Sequence, residues 1–340
     1  MYLDMHANRQ TSRNGVMANE WIKWVFNLLS KIWTRLGHNQ KEISNKTYEE
    51  SKPIQATSVT SEMKHASLLG SFNIVSYNIR YGNANDGGNS WEFRRDAFYR
   101  NIQKLNPDIL CLQELVEFQK HELLAGVRAL GIEYDCVGRA RGHHPDEGEY
   151  SPIMYKPSVF ELVSSGTFWY SDTPDTPGGN TWDSGLPRIC TWAVLNLKAE
   201  PSAPPVIVYN SHFDLSVISR KRSFPLLLSK IAANGHDTEP CLIITGDFNI
   251  NSDDEFTPLE KAGFKDSYAI KHPSATAAER STFHYFTGKP NPNQPKIDCI
   301  FFKPKHSGLV IDDADIDRYH EDNRFPSDHF AVWTHFEIKM

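Results

Sequence analysis

Short apolar runs alternate with amphipathic stretches along the chain beyond residue 67. The runs are rich in β-branched and aromatic residues, which favours strands that are buried on both faces. We predict strands over Phe72–Tyr77, Ile109–Leu112, Ser151–Tyr155, Thr191–Leu197, Val206–Asn210, Leu242–Thr245, Ile297–Phe302 and Ala331–Ile338. Apolar positions with a helical period predict helices over Trp91–Leu105, Val116–Leu130 and Arg220–Ala233, with a kink at Pro225. Buried strands interleaved with helices indicate an α/β or α+β fold.

Residues 1–67 differ in amino-acid composition from the remainder of the chain. Residues 37–67 are polar and hold few large apolar side chains, which is typical of a linker or a mobile extension. We therefore expect the compact domain to occupy residues 68–340, with residues 1–67 as a separate extension.

One segment inside the extension has a helical period, from Glu20 to Leu36 (EWIKWVFNLLSKIWTRL). Its apolar positions, with three Trp, predict an amphipathic helix over about residues 20–36. The segment is too short and too charged to span a bilayer. Three alternatives remain for it: a helix that docks on its own domain or on a second copy, an anchor at a membrane surface, or a cleaved targeting segment.

Composition and charge narrow the class of protein. Hydrophobic residues make up 39% of the 340 residues and aromatic residues 12%, which is enough for a large core. Residues 1–67 carry nine Lys and Arg against six Asp and Glu, and the rest carries 27 against 36. A domain with a net charge of −9 and without a basic stripe disfavours duplex DNA as a partner.

The five cysteines lie far apart and form no CxxC, which disfavours both a zinc ribbon and a disulfide scaffold. Unpaired cysteines and the lack of an ordinary secretion signal lead us to expect an intracellular, cytoplasmic protein, with peripheral membrane association through the 20–36 helix as an alternative.

Polar groups end the apolar runs in six places, which suggests where the chemistry lies. Side chains that leave buried strands at one edge converge in space, and carboxylate and amide oxygens suit Mg²⁺ or Mn²⁺. Phosphoryl chemistry then requires an aligned nucleophile and neutralisation of charge on the phosphate oxygens. The six segments are Tyr77-Asn78-Ile79-Arg80, Leu112-Gln113-Glu114, Asn210-Ser211-His212-Phe213-Asp214, Gly246-Asp247-Phe248-Asn249, Lys296-Ile297-Asp298 and Ser327-Asp328-His329.

The ordered set of six resembles the endonuclease/exonuclease/phosphatase superfamily, also called DNase-I-like, over about residues 70–340. The stretches SYNIRYGNANDGGNSWEFRRD, PDILCLQE, GEYSPIMY, LPRICTW and KIDCIFF resemble a bacterial and fungal branch of largely uncharacterised hydrolases. The resemblance implies an α+β fold of four layers, α/β/β/α, in which two mixed sheets pack face to face with helices outside. It also implies cleavage of a phosphoester by metal-activated water, with Mg²⁺ or Mn²⁺ as the cofactor.

The resemblance implies a metal and water site at five positions. Glu114 matches the principal metal ligand of the superfamily, and Asn78 matches the Asn that helps to hold the metal shell. Asp328, in the SDH motif, matches an Asp that lies near the metal. Asp247 matches the residue that positions or deprotonates the attacking water, and Asn249 matches the residue that supports it.

The resemblance places a phosphate site beside these residues. His329 matches the His that hydrogen-bonds the scissile phosphate, and Asp298 matches the carboxylate that orients this imidazole. His212 matches a His that donates to a phosphate oxygen. Arg188 is a candidate phosphate clamp, with a structural ion pair as the alternative, and Glu149 is a weaker candidate for substrate binding.

The substrate is less closely indicated than the chemistry. We favour a phosphorylated small molecule, either a monoester or a diester, because no basic tract with interleaved aromatic residues is present. An RNA-directed 3′–5′ exonuclease of the deadenylase type is the alternative, and an inactive binding module tethered by the Trp-rich helix is the third. Arg139 and Arg141 are expected in a solvated loop, with contact to the substrate as the alternative. Residues 171–185 form either a lid over the site or a surface loop.

Overall fold

The computed structural model describes residues 67–304, 308–322 and 324–339. The predicted helix over 20–36 and the rest of the extension lie outside these residues, so the division of the chain into residues 1–67 and 68–340 stays a prediction. None of the helices in the described ranges combines the length and apolar character that a bilayer span requires.

The described elements follow the alternation that the sequence predicts. The strands are β1 (Leu68–Asn78), β2 (Ile109–Gln113), β3 (Asp135–Val137), β4 (Ile153–Tyr155), β5 (Phe160–Trp169), β6 (Ile189–Leu197), β7 (Val206–His212), β8 (Leu242–Asp247), β9 (Lys265–Asp266), β10 (Asp298–Phe302), β11 (Leu309–Asp317) and β12 (Ala331–Lys339). The α-helices are α1 (Trp91–Leu105), α2 (Glu117–Ala129), α3 (Val217–Ala233), α4 (Thr257–Lys261), α5 (Ser267–Lys271) and α6 (Ala277–Arg280). Short 3₁₀ turns lie at Gly87–Asn89 and Asp253–Phe256.

The described strands form two mixed six-stranded sheets. The first has the order β11-β12-β1-β2-β4-β3, and the second has the order β5-β6-β7-β8-β10-β9. Each sheet contains a parallel pair, β1 with β2 and β7 with β8, and the other described pairs are antiparallel. The chain between the parallel strands contains α1 in the first sheet and α3 in the second, as parallel neighbours require a long crossover. The two sheets therefore repeat one local plan.

Three apolar clusters separate the layers. One lies between the sheets and joins side chains such as Phe72 and Ile109 of the first sheet to Val208 and Ile243 of the second. A second cluster packs α3 on the second sheet, and a third packs α1 and α2 on the first. The four-layer α/β/β/α arrangement, an α+β fold, is confirmed.

The sequence missed two long strands, β5 and β11, and both lie at sheet edges. Their sequences, FELVSSGTFW and LVIDDADID, carry Ser, Gly and Asp where a central strand would carry apolar residues. Polar residues on an edge discourage pairing with another chain, and they also erase the apolar signal that predicts a strand. α3 also begins three residues earlier than predicted and continues through Pro225 as one helix.

A polar contact crosses the apolar interior between the sheets. Gln113 Nε2 donates to Asn210 Oδ1 at 2.8 Å, and Asn210 Nδ2 donates to the carbonyls of Leu112 and Pro152 at 2.8 Å each. Both side chains are fully buried. Hydrogen bonds are directional where apolar packing is not, so this contact fixes how the first sheet is placed on the second.

A buried arginine in α1 connects the segments that later carry the chemistry. Arg94 is fully buried, and its guanidinium donates to the carbonyls of Ile79, Arg80, Asn89 and Pro326 at 2.7–2.9 Å. Burial lowers the pKa of Arg94 to about 10, so the group stays positively charged at neutral pH. One side chain thus joins the end of β1, the 3₁₀ turn after it, and the loop before β12.

Gly246 lies where β8 comes closest to β7. Its φ is +147°, and a Cβ there would lie 2.0 Å from the carbonyl oxygen of Ser211. Ser211 and Gly246 are register partners, and the next pair along is His212 with Asp247. A side chain at 246 would therefore separate the strand ends that present these two residues.

Replacing Arg94 should destabilise the fold strongly. Arg94→Met would leave buried carbonyls without donors, each costing about 1–3 kcal/mol. We expect a loss of at least about 3 kcal/mol in the free energy of unfolding, measured by urea denaturation. The control is Arg95→Met, because the neighbouring Arg95 side chain is 42% exposed. Equal stability of the two variants would contradict the role of Arg94.

Gly246→Ala should destabilise the fold by more than about 2 kcal/mol, because backbone would have to move away from the new methyl group. Gly235→Ala is the matched control, since Gly235 also has a positive φ (+74°) but has open space around its Cβ position. That variant should lose only about 1 kcal/mol from backbone strain. Thermal unfolding of both proteins tests the difference, and similar losses would show that the approach to Ser211 is unimportant.

Candidate active site

The ends of the two parallel strand pairs supply four predicted residues. Asn78 ends β1 and Glu114 follows β2 in the first sheet, while His212 ends β7 and Asp247 ends β8 in the second. The carboxyl ends of parallel strands meet at one edge of a sheet, and here the two sheets present these edges to one another. Asn78 Nδ2 donates to Asp247 Oδ2 at 3.0 Å across the two sheets.

The expectation that all six segments follow strands was wrong for two of them. Asp298 opens β10, and Asp328 and His329 precede β12. β10 runs antiparallel to β8, with Asp298 opposite Asp247, and β12 runs antiparallel to β1. The start of an antiparallel strand lies beside the end of its neighbour, so these residues still reach the same edge.

The predicted residues surround one cavity of about 530 Å³. Those that line it are Glu114, Glu149, Arg188, His212, Asp247, Asn249, Asp328 and His329. Asn78 and Asp298 are fully buried behind the wall and are hydrogen-bonded to residues that line it. The structure therefore brings every predicted site residue to one place.

Asp247 is at the centre of this arrangement. Its Oδ1 accepts the backbone N–H of Asn249 at 3.1 Å, and its Oδ2 lies 3.6 Å from His212 Nε2 and 3.9 Å from His329 Nε2. Burial, reinforced by repulsion from Asp298, raises the pKa of Asp247 to about 7. A carboxylate with a pKa near neutrality is suited to accept a proton from water.

His329 is paired with a buried carboxylate. Its Nδ1 lies 2.9 Å from Asp298 Oδ2, and its ring packs against Phe283. Burial disfavours the charged ring, but the carboxylates of Asp298, Asp247 and Asp328 outweigh it and raise the pKa of His329 to about 10. The ring is thus an imidazolium with Nδ1 on Asp298 and Nε2 towards the cavity.

His212 differs from His329 in its charge. Burial, with added repulsion from Arg188 and Arg141, lowers its pKa well below the ordinary value, so the ring is neutral. Its Nδ1 lies 3.8 Å from Glu149 Oε2. The two imidazoles that flank Asp247 therefore differ, one charged and one neutral.

Glu114 and Asp328 form an acidic pair on the other side of the cavity. Glu114 accepts from Asn78 Nδ2 and from the backbone N–H of Tyr81, both at 3.1 Å. The Arg80 guanidinium lies 4.0 Å from Glu114 Oε2 and 3.8 Å from Asp328 Oδ2, so both carboxylates face one small region. Burial raises the pKa of Asp328.

The oxygen donors fit a hard divalent cation. The carboxylates of Glu114 and Asp328 both face the Arg80 guanidinium, so they lie close to one another. Carboxylate oxygens are the ligands that Mg²⁺ and Mn²⁺ prefer. Asn78 directs its Nδ2 to Glu114 and Asp247, while its Oδ1 accepts the Arg80 N–H at 2.9 Å. Among the described residues, Asp247, Asp298 and His329 also form a buried group with ligand atoms within 4.8 Å of one another. In that group, however, His329 Nδ1 is already committed to Asp298.

Three site positions have left-handed backbone. Arg80, Glu114 and Asn249 have φ values of 59°, 63° and 48°. Each follows a central strand closely, and residues with side chains rarely adopt this conformation unless their surroundings hold it. The sharp change of direction turns the chain away from each sheet immediately after the residue that faces the cavity.

Sequence reasoning left several cavity residues without a role. Arg80 and Asp86 line the wall and form a bidentate ion pair, in which Arg80 Nε and Nη2 each lie 3.0 Å from an Asp86 carboxylate oxygen. Arg141 also lines it and contacts Glu149 at 2.8 Å, so the expectation that this residue is in a solvated loop was wrong. Apolar side chains complete the lining: Leu186, Leu215, Phe283, Tyr285, Phe286 and Ile297. They come from loops, whose sequence has no period that would reveal which side chains face inward.

Comparison with known proteins identifies relatives that share this fold. The Endonuclease/Exonuclease/phosphatase family matches residues 75–329. An endonuclease/exonuclease/phosphatase structure from Bacteroides vulgatus is 30% identical, with a TM-score of 0.69 over 79% of this chain and 99% of that one. A mannosyl-6-phosphatase from Bacteroides thetaiotaomicron is 28% identical, with a TM-score of 0.66 over 78% of this chain and 99% of that one.

Two curated relatives extend the comparison. An uncharacterised protein of Acanthamoeba polyphaga mimivirus is 30% identical over 179 residues, which are 51% of this chain and 65% of the relative, slightly less than two thirds of its length. Carbon catabolite repressor protein 4 homolog 4 of Arabidopsis thaliana is 24% identical over 304 residues, covering 73% of this chain and 71% of that protein. The family match spans most of the domain and includes the Asn78, Glu114, Asp247 and His329 positions, so the chain belongs to the endonuclease/exonuclease/phosphatase family, whose members are phosphoester hydrolases.

Proposed function

We propose that the chain is a divalent-metal-dependent phosphatase that hydrolyses a phosphorylated small molecule, with a phosphomonoester as the preferred substrate. The observation that carries the proposal is the position of Asp247, which lies between a charged and a neutral imidazole on the wall of one cavity. That arrangement supplies a base for water and donors for phosphate oxygens at the same place.

Glu114 and Asp328 would hold Mg²⁺ or Mn²⁺. Asn78 acts through its amide, which holds the Glu114 and Asp247 carboxylates in a fixed relation. When bound, the ion would withdraw negative charge from the phosphate oxygens as a Lewis acid. Members of the family generally use divalent metals, and the oxygen-rich donor set is consistent with that class of ion.

Asp247 accepts the proton of the attacking water. The Asn249 N–H fixes Oδ1, and the Asn78 amide fixes Oδ2 from behind, so the carboxylate cannot rotate freely. The Asn249 side chain is held in turn, because its Nδ2 donates to the carbonyl of Phe213 at 3.0 Å. A base held in one orientation lowers the entropic cost of aligning water with phosphorus.

His329 donates through Nε2 to a phosphate oxygen, and Asp298 keeps its ring oriented and charged. A positioned donor of this kind contributes about 3–4 kcal/mol when it meets charge that develops in the transition state. His212, which is neutral, donates one hydrogen bond without adding a second positive charge beside Asp247. Arg188 adds a guanidinium that Asp214 orients at 3.1 Å, and its buried Nη1 has no partner among the described residues.

The size and lining of the cavity favour a small substrate. Cavities of about 300–1,000 Å³ suit a small molecule, and this one is of that size. Arg80, Arg141 and Arg188 each lie beside a carboxylate, an arrangement of donors and acceptors that suits a phosphorylated compound with several hydroxyl groups. The likeness to the Bacteroides thetaiotaomicron mannosyl-6-phosphatase supports the same class of substrate.

RNA is the second candidate substrate, and two observations favour it. A relative from Encephalitozoon cuniculi, 28% identical over 198 residues, is named as a probable CCR4-Not complex 3′–5′ exoribonuclease subunit. In addition, Tyr285 on the cavity wall is 74% exposed, so its ring could stack on a base. The domain charge of −9 argues against duplex DNA.

An intracellular location remains part of the proposal, since all five cysteines are free thiols.

Removal of divalent metal should abolish hydrolysis, because the phosphate charge would no longer be neutralised. We expect activity on p-nitrophenyl phosphate to disappear after chelation and to return with Mg²⁺ or Mn²⁺. Glu114→Gln should lower kcat/KM at least about 100-fold at limiting Mg²⁺, because a neutral amide is a poor ligand. Initial rates across a Mg²⁺ titration test this. Full activity after exhaustive chelation, or wild-type rates for the variant, would contradict the metal assignment.

A panel of esters should separate the candidate substrates. The panel contains sugar phosphates, nucleoside monophosphates, bis(p-nitrophenyl) phosphate and a short oligoadenylate. We expect the highest kcat/KM on a monoester, and we expect Asp247→Asn to lower it by about 10³-fold or more, since the amide cannot accept the proton. Asp175→Asn, at a carboxylate on the surface, is the control and should match the wild type. Release of mononucleotides without turnover of small esters would favour RNA instead.

A further inference from the structure

Arg80 has a place on the cavity wall that the reaction described above does not use. It comes two residues after the end of β1, and its side chain is 26% exposed. Its guanidinium is within 4.0 Å of both Glu114 and Asp328, the residues assigned to the ion. A permanent positive charge thus lies beside the position where a phosphate must meet the metal.

The backbone of Arg80 is held by several independent contacts. Its φ of 59° is in the left-handed region, which residues with a side chain rarely adopt. Its N–H donates to Asn78 Oδ1 at 2.9 Å, and its carbonyl accepts from Arg94 at 2.8 Å and from Gln119 at 3.1 Å. Such a conformation persists because its neighbours over-determine it, and this concentration of contacts is typical of functional positions.

The side chain is fixed as firmly as the backbone. Arg80 Nε and Nη2 donate to the two carboxylate oxygens of Asp86 at 3.0 Å each. A guanidinium has five N–H groups, so this pair occupies one edge and leaves the Nη1 donors unused by Asp86. Nη1 is also the atom nearest to Glu114. Asp86 therefore leaves the Nη1 donors free on the side of Glu114, while Nε, which donates to Asp86, lies 3.8 Å from Asp328 Oδ2.

The charge of the substrate decides what such a donor would do. A phosphomonoester carries about −1.5 to −2 charge at pH 7, whereas a diester phosphate carries about −1. His212 approaches Asp247 from the end of β7 and His329 approaches it from the loop before β12. Arg80 lies beside Glu114 and Asp328, just after the end of β1. A monoester has one more ionised phosphate oxygen than a diester, in which that oxygen carries the second ester group. Arg80 would donate to this additional oxygen.

We propose that Arg80 contacts the phosphate of the substrate directly and favours dianionic monoesters over diesters, with Asp86 as its positioning residue. This inference rests on the proposed phosphatase function. The competing explanation is that Arg80 only neutralises Glu114 and Asp328 when no ion is bound. The two explanations differ in what Arg80 controls, since one concerns the phosphate and the other the ion.

The test compares initial rates on p-nitrophenyl phosphate and bis(p-nitrophenyl) phosphate. Both release p-nitrophenolate, with phosphate as the second product of the monoester and p-nitrophenyl phosphate as that of the diester. We expect Arg80→Met to lower kcat/KM about 10- to 100-fold on the monoester and less than about threefold on the diester. The Mg²⁺ concentration for half-maximal activity should stay at the wild-type value. Arg80→Lys keeps the charge without the two-pronged geometry, and Asp86→Asn loosens the guanidinium, so both should give intermediate losses.

A binding measurement gives a second readout that needs no turnover. Inorganic phosphate with Mg²⁺ should raise the Tm of the wild type, and this stabilisation should be lost in Arg80→Met. The control is Arg100→Met, which removes another two-pronged pair, with Glu321, on an exposed surface. It should retain wild-type rates and the phosphate effect. Tm without phosphate shows that each variant is folded.

The outcomes distinguish the inference from the proposed function. If the wild type cleaves neither ester in Mg²⁺ or Mn²⁺, the phosphatase proposal fails. If the wild type is active but Arg80→Met loses both esters equally and shifts the Mg²⁺ requirement, Arg80 is a counter-ion and the inference is overturned. Unchanged phosphate stabilisation in Arg80→Met overturns it as well, even where the wild type acts on the monoester alone.

Discussion

Four of the acidic side chains at the cavity lie close together in a region largely shielded from water, and the surrounding residues have to offset their mutual repulsion. These are Glu114, Asp247, Asp298 and Asp328. Asn78 donates to two of them, and His329 takes a proton that burial alone would deny it. Arg94 adds a fixed positive charge behind the loops that carry Asn78 and Asp328. Repulsion from Asp298 and Glu114 still contributes to the raised pKa of Asp247, and a divalent cation beside Glu114 would offset it.

The chemical part of the site could be read from the sequence, because it is attached to the most regular part of the fold. A strand buried on both faces has a strong apolar signal, and the polar residue that ends it, such as Glu114 or Asp247, is conspicuous by contrast. The edge strands β5 and β11 have no such signal, since their alternation is interrupted by the polar residues that protect an edge. Arg141 was misjudged for a related reason: nothing in the loop sequence indicates that its side chain turns inward to Glu149.

The division between strand ends and loops is also a division of labour. The groups proposed to act on phosphorus come from the central strands of both sheets and from the segments beside them. Groups that would meet the rest of the substrate, such as Leu186, Arg141 and Tyr285, come from connecting segments. Loops accept substitutions and insertions more readily than central strands do, so one reaction can serve many substrates on this scaffold. For this reason the residues of this chain indicate the type of reaction more closely than they indicate the leaving group of the substrate.

The Gln113–Asn210 contact between the sheets has a consequence for how the protein can fail. Each half of the sandwich carries only part of the reactive set, so catalysis depends on the halves being docked at one fixed offset. A variant that let one layer slide on the other by a fraction of a hydrogen-bond length would keep its secondary structure and most of its apolar burial. Such a protein would have a native circular dichroism spectrum but no enzymatic activity. The rate of turnover would therefore report the alignment of the two sheets more sensitively than the spectrum does.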